Sequence, residues 1–362
     1  MSFNPNKICR GHINSLFMVA DRTSTVSDGA EVLLNANENP LGSVTAKWYN
    51  RFPFKDDETL IEAISAVKLI DSYNILPGNG NHQCLDWLVR CFCEPGISQV
   101  IICQPCNAVY ATVAHLNNIA VKNAPMLSGF QLDLVHLESL VDEQTTIIFI
   151  GSPNDPTGNA MRREDVEMIL NNFAGIVVID ETYINFSRQK SFVTELSDYP
   201  NLVVLQNFDI AWGLAGLQVS MLLASKDIIQ IVKTITPPYN INTPTRQILL
   251  KALEEVGMVN DMIKELVQMR AAVKRILEKF PFVEMVYPSD ANFLLVKVSD
   301  AKKLCGFLLH KGILVTDVSS YQQCDNCLRI TTGTEDENTR LVEALVQYFD
   351  EEDNKGLVDE PI

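Results

Sequence analysis

Residues 146–180 read TIIFIGSPNDPTGNAMRREDVEMILNNFAGIVVID. The stretch opens with a short apolar run, Thr146–Ile150, and closes with another, Ile176–Ile179. Neither alternates apolar with polar residues, so a strand formed from either is covered on both faces. Between them, Pro153-Asn154-Asp155-Pro156-Thr157-Gly158 is turn chemistry. Arg163–Asn171 then carries charged residues at its start and apolar residues at helical spacing. Strand, turn, helix and strand in that order make a crossover unit, and such units build parallel sheets.

The same texture extends outward. Val100–Cys103, Leu202–Leu205 and Ser220–Leu223 are further apolar runs of strand length. After Pro237 and Pro238 the pattern changes. Met262, Leu266, Met269, Val273, Ile276 and Phe280 recur at three- and four-residue steps, which predicts one long amphipathic helix with its Met stripe in the core. A strand at Phe293–Val298, a helix at Ala301–Lys311, strands near Leu314 and Leu328 and a last helix from about Glu337 complete a smaller α+β unit. The expected organisation is an arm over 1–40, a large α/β domain over 41–238, a small domain over 239–350 and a solvated acidic tail over 351–362.

Composition narrows the function classes. The chain has 362 residues, 47% hydrophobic and 20% charged, values of a globular protein of about two domains. No apolar stretch approaches the roughly 20 residues of a membrane helix, and the N-terminal segment MSFNPNKICRGH has no signal-like apolar core. A cytoplasmic protein is expected. The net charge of −16, from 45 acids against 29 bases, disfavours nucleic acid and anionic membranes as partners. Nine cysteines lie in apolar segments and read as reduced core thiols. Cys324 and Cys327 form a C-x-x-C, but a second pair or suitably spaced histidines are not evident, so no metal site is expected.

Several signatures fall in sequence: LNANENPLG at 34–42, GNGN at 78–81, SPNDPTGN at 152–159, VIDETY at 178–183, AWGLAGL at 211–217, PYNIN at 238–242 and CLRITTGT at 327–334. Each is weak alone. In this order and spacing the chain resembles the fold-type-I pyridoxal phosphate enzymes, specifically the histidinol-phosphate aminotransferases, from about Val32 to about Gln347. The resemblance implies a three-layer α/β domain with a mainly parallel seven-stranded sheet, a smaller α+β domain, a cleft between them and a homodimer that completes the site.

The resemblance also assigns roles. Asp180, the partner of the cofactor's ring nitrogen in the family, is kept, as are Tyr183, the carboxylate-binding Arg329, and Asn37 along the substrate. The lysine that carries the cofactor's aldehyde and shuttles the proton falls at Ile210, which can do neither. The family's phosphate-binding Ser and Arg fall at Asp209 and Gln218, and its Gly-Ser-Asp-Glu helix start reads Gly80-Asn81-His82-Gln83. The ring-stacking aromatic falls at Asn107, the Asn that bonds the ring oxygen at Asp155, and the Tyr reaching over from the second subunit at Phe52. An Arg-x-Arg after a small-domain strand is replaced by Thr316-Asp317-Val318.

A phosphate carries roughly −1.5 to −2 charge, and one close like-charge pair costs about 4 kcal/mol at an effective dielectric near 20. The reading expected from these replacements is no bound cofactor and a catalytically silent pseudoenzyme with a binding or regulatory role, a homodimer or a partner of an active paralogue. The alternative is an aminotransferase acting on histidinol phosphate, 2-oxoglutarate or a related amino acid, or different lysine-independent chemistry in the same cleft. Two local pairings are expected as well: His82 with Asp209 in place of a phosphate, and Asp155 with Asp180 sharing a proton in a pocket suited to a cationic amine or a metal. Against a functional role, Arg329 can equally pair with a nearby acid, and His82 can be a surface residue at a helix start.

Overall fold

The computed structural model describes residues 3–13, 39, 41–45, 49–50, 58–237 and 240–356. Asn37 and Phe52, two of the expected site residues, lie outside them.

Alternation along single strands shows how the sheet is buried. In Ile176–Asp180 (β5), Ile176 and Val178 enter one apolar cluster while Val177 and Ile179 enter another on the opposite face. Leu202–Asn207 (β6) does the same with Leu202 and Val204 against Val203 and Leu205. This is the period-two geometry of a strand covered on both sides. Each such side chain contributes about 1.5–3 kcal/mol on burial, which is why the continuous apolar runs are legible as strands.

The remaining strands of this sheet are Ile75–Asn79 (β1), Gln99–Gln104 (β2), Ala120–Pro125 (β3), Thr145–Gly151 (β4) and Val219–Ala224 (β7). The order is β1-β7-β6-β5-β4-β2-β3, seven strands, with β7 antiparallel to both its neighbours and the other pairs parallel. The helix Gly80–Phe92 packs Leu85, Leu88 and Phe92 on one face of the sheet. The helix Glu58–Lys68 covers the other with Leu60 and Ile64, one turn apart.

A second sheet is antiparallel throughout, in the order Thr316–Asp317 (β10), Cys327–Thr331 (β11), Phe293–Val298 (β9) and Val283–Val286 (β8). The helices Val256–Leu277, Ala301–His310 and Glu335–Gly356 surround it. One face of it builds a further core, with residues such as Val273, Leu294, Val296 and Leu345, while Leu295 and Cys327 on the other face join the cluster that packs on the large sheet. Asp300 caps the Ala301 helix by accepting from Lys303 N at 2.9 Å.

Five strand expectations of the large sheet and the crossover helix stand within a residue or two of the observed bounds. Several details differ. β1, β3 and β8 were not expected as strands: β1 contains Pro77 and Gly78, and β3 and β8 are edges with exposed positions. The Met stripe is not all core, since Met262 is 38% exposed. The segment expected as tail begins as helix, which runs to Gly356. Among the described residues no helix is long and apolar enough to cross a membrane.

Candidate functional site

The parallel strands all end on the same side. At that rim, β1 gives way to the helix Gly80–Phe92, β4 to the turn after Gly151, β5 ends on Asp180 and β6 on Asn207. A cavity of about 360 Å³ lies over these ends, where open α/β sheets place their ligands. Asn81, His82, Asn107, Asp155, Asp180, Tyr183, Asp209, Ile210 and Gln218 all line it. Nine positions scattered over 138 residues of sequence are thus brought to one cavity.

Asp180 forms its floor. Its Oδ2 accepts from the Tyr110 hydroxyl at 2.9 Å, and its Oδ1 accepts from Thr182 N at 3.0 Å and Thr182 Oγ1 at 2.7 Å. Burial pushes the carboxyl above its usual range, although these three bonds work the other way. The Tyr110 ring is fixed by stacking on Phe149, 5.3 Å between centroids and 2° from parallel. Burial likewise pushes the Tyr110 and Tyr183 hydroxyls up, so both remain neutral donors.

One wall is a charged cluster. Asp155 Oδ1 is in contact with Arg329 Nη1, and Asp155 Oδ2 accepts from Asn107 Nδ2 at 3.0 Å. Arg329 comes from β11 in the second sheet, so the pair spans the two units. The expected proton sharing between Asp155 and Asp180 is therefore corrected. Asp155 is held by a cation, and its effect on Asp180 is minor beside burial. The alternative for Arg329, pairing with an acid, is what the structure has.

The opposite end lies at the first turn of the Gly80 helix. Asn81 Oδ1 accepts from Ser220 Oγ at 2.6 Å, and Asn81 Nδ2 donates to Thr182 Oγ1 at 2.9 Å. Asn207 Nδ2 also donates to Thr182 Oγ1, at 3.2 Å. Two buried oxygens here have no hydrogen-bond partner, Asn207 Oδ1 and Asp209 Oδ1. Burial raises the Asp209 carboxyl to about 6. His82 is exposed, and no ion pair joins it to Asp209 among the described residues, so that expected pairing is not formed. Gln218 adopts a left-handed φ of 52° beside Gly80, whose own φ is 78°.

Ile210 borders the cavity and packs partly against the core. Neither an amine nor a titratable group is offered at that position. Tyr110, Thr182, Asn207 and Ser220 were not singled out from the sequence, because their roles come from bonds between strand ends far apart in the chain. A second polar network was also missed. Gln206, next to Asn207, points to the other face of the sheet, accepts from Lys68 Nζ at 2.7 Å and donates to Glu181 Oε2 at 2.8 Å. Burial pulls Lys68 down to about 8, with Glu181 acting the other way.

Cys324 and Cys327 are buried, with thiols pushed up to about 12 and about 11, chiefly by burial. Such groups behave as core thiols. Among the described residues no group of three or more His, Cys, Asp or Glu is placed to hold a metal ion.

A sequence model of the family "Aminotransferase class I and II" matches residues 45–345. The histidinol-phosphate aminotransferase of Cytophaga hutchinsonii is 38% identical over 348 residues, covering 96% of this chain and all of the relative. Among solved structures, the histidinol-phosphate aminotransferase of Clostridium acetobutylicum superposes with a TM-score of 0.77 at 20% identity, over 83% of this chain and 91% of that one. The Sinorhizobium meliloti histidinol-phosphate aminotransferase, solved in complex with pyridoxal-5'-phosphate, superposes with a TM-score of 0.76 at 19% identity, over 83% of each chain.

These findings overturn the expectation of no cofactor. The family is pyridoxal phosphate dependent, and a structural neighbour holds the group. The error lay in reading the altered side chains without the frame that surrounds them. The cavity persists, and Asp180, oriented by three bonds at its floor, fits the ring nitrogen of such a group. The unpartnered Asn207 Oδ1 and Asp209 Oδ1 at its other end are acceptors and give a phosphate no bond, and Ile210 provides no covalent tether.

Proposed function

We propose, for a chain that belongs to the class I and II aminotransferases and within them to the histidinol-phosphate aminotransferases, that the cleft takes a pyridoxal-phosphate-class cofactor without a covalent link and acts on a small amine of the histidinol phosphate kind. The observation that carries the reading is Asp180, held at the cavity floor by Tyr110 and Thr182.

When bound, the cofactor supplies the electron sink for amine transfer. The chain supplies the rest. Asp180, its carboxyl fixed by Tyr110 and Thr182 in a buried setting, would hold the ring nitrogen. The N-terminus of the Gly80 helix, with the Asn81 amide, would hold the phosphate end through N–H groups. Asp209 at that end opposes a phosphate while it is ionised, so binding is weaker than a serine in its place would give. Ile210 moves no proton. General acid–base groups contribute roughly 10²- to 10⁴-fold, so turnover is slow by about that factor.

The test is a single half-reaction: chain, pyridoxal phosphate and histidinol phosphate, followed by chromatography for pyridoxamine phosphate. Formation above the protein-free rate, lost in D180A, supports the reading. No formation above that rate with cofactor bound supports a second one, a catalytically silent member of the family, which Ile210 favours. The homodimer of the family goes with either reading and is checked by light scattering.

A further inference from the structure

The end of the cavity at the Gly80 helix presents two kinds of group. The first are donors. The first-turn N–H groups of that helix have no intrahelical partner, and the cap residue Asn79 gives them no side-chain bond. Gly80, Asn81 and His82 all line the cavity there. The second are acceptors. The Asn81 side chain is engaged in the wall, its Nδ2 on Thr182 Oγ1 at 2.9 Å and its Oδ1 on Ser220 Oγ at 2.6 Å. Asn207 Nδ2 belongs to the same network, 3.2 Å from Thr182 Oγ1 and 3.5 Å from Asn81 Oδ1. Those bonds fix the amide and leave Asn207 Oδ1 over, on a residue only 6% exposed. Asp209 Oδ1 is the other oxygen without a partner, and both residues line the cavity. No lysine or arginine lines it.

An anion satisfies the helix N–H groups. The two free oxygens call for a hydrogen, and a phosphate bonds them only if it carries one. One ligand meets both demands: a phosphate that keeps a proton, whose bare oxygens accept and whose P–OH donates. An O–H donated to a carboxylate makes a short, charge-assisted bond.

We propose that this end of the cleft takes phosphate in its hydrogen-phosphate form, the P–OH donating to Asp209, and discriminates against tetrahedral oxyanions that carry no proton. The proposal rests on the reading of this end as the phosphate end and deepens it. Asp209 is the specificity-determining residue, and Asn207 Oδ1 is the second acceptor. The Asp209 carboxyl titrates at about 6, close to the second proton of a phosphate ester, so the two groups hold one proton between them.

The experiment is equilibrium dialysis of the full-length chain with radiolabelled inorganic phosphate at about pH 8, where inorganic phosphate still carries a proton and sulfate carries none. It needs neither turnover nor cofactor. The wild type is expected to bind phosphate saturably, with sulfate displacing it at least tenfold less well than unlabelled phosphate does. In D209N, whose amide both donates and accepts, the two oxyanions are expected to compete about equally, and D209S, with a hydroxyl there, gives the same levelling. Circular dichroism confirms the fold of each variant first. Equal displacement in the wild type, or discrimination unchanged in D209N and D209S, overturns the proposal and leaves the phosphate end standing. A folded D209N that has lost phosphate altogether also overturns it, since an amide oxygen accepts from P–OH as well. A wild type that binds neither oxyanion overturns the proposal and the phosphate end together.

Discussion

Ile210 is a hydrocarbon facing a cavity otherwise lined mainly by polar groups, and its chemistry sets the first prediction. I210K restores an amine at that wall. Treated with pyridoxal phosphate and borohydride, it is expected to give a covalent adduct on the peptide containing residue 210, with amine transfer faster by roughly 10²- to 10⁴-fold. A folded variant that binds cofactor yet stays unlinked contradicts the placement of residue 210. Asp209 sets the second. Its carboxyl titrates near about 6 rather than 3.8, so the neutral form is favoured in the fold. Its favourable contribution is complete below the unfolded value and is lost as pH rises through about 6. Binding of a phosphate ester should therefore tighten as pH falls from about 7 to about 5, beyond the ligand's own titration near 6. D209N, measured in parallel, should show the smaller slope; equal slopes contradict the role given to Asp209. At this scale the sequence was informative about which residues meet: Asp180, Asp155, Asn107, Asp209 and Gln218 share one cavity. It was silent on how they pair. Asp155 and Arg329 are 174 residues apart, and nothing in local spacing tells that they touch.

Elements were legible in proportion to how fully they are buried. β4 and β5 are apolar on both faces, and that alone marks them. β3, with only Ala124 of its six residues buried, lacks that mark and was missed. The crossover between β4 and β5 carries the third prediction. Gly175 begins the return to β5, and a Cβ there would stand 2.4 Å from both the Phe173 ring and the Thr146 carbonyl oxygen. The backbone atom cannot give way cheaply, so G175A should lower stability by about 1–3 kcal/mol in urea unfolding. An unchanged midpoint contradicts the packing described. The helix Glu58–Lys68 carries the fourth. Lys68 has a folded pKa of about 8 against 10.5 unfolded, so the unfolded chain binds more protons between those values. Stability from this group rises with pH across that window. K68M should remove that part of the rise, read as the difference between the two chains at about pH 7.5 and pH 10; parallel curves contradict it.

The whole molecule is two sheets, tied by the apolar cluster that Leu295, Val318 and Cys327 share with the large sheet and by the pair of Asp155 and Arg329. A change of texture after Pro237 and Pro238 is the sequence's sign of a second unit. The acidic balance of −16 argues against anionic partners in general; the expectation of no cofactor came from the replacements at Ile210, Asp209 and Gln218, and the family relationship corrects it. Net charge acts at long range and is screened within about 8–10 Å by salt, whereas a cofactor is held by oriented groups at a few ångströms. The cleft is proposed to hold a pyridoxal-phosphate-class group by those contacts alone. Equilibrium dialysis of the chain against pyridoxamine phosphate, which cannot form a lysine link, measures it most directly. One saturable site per chain, weakened at least tenfold in D180A, is the predicted result; a flat isotherm into the millimolar range, or binding indifferent to D180A, contradicts it.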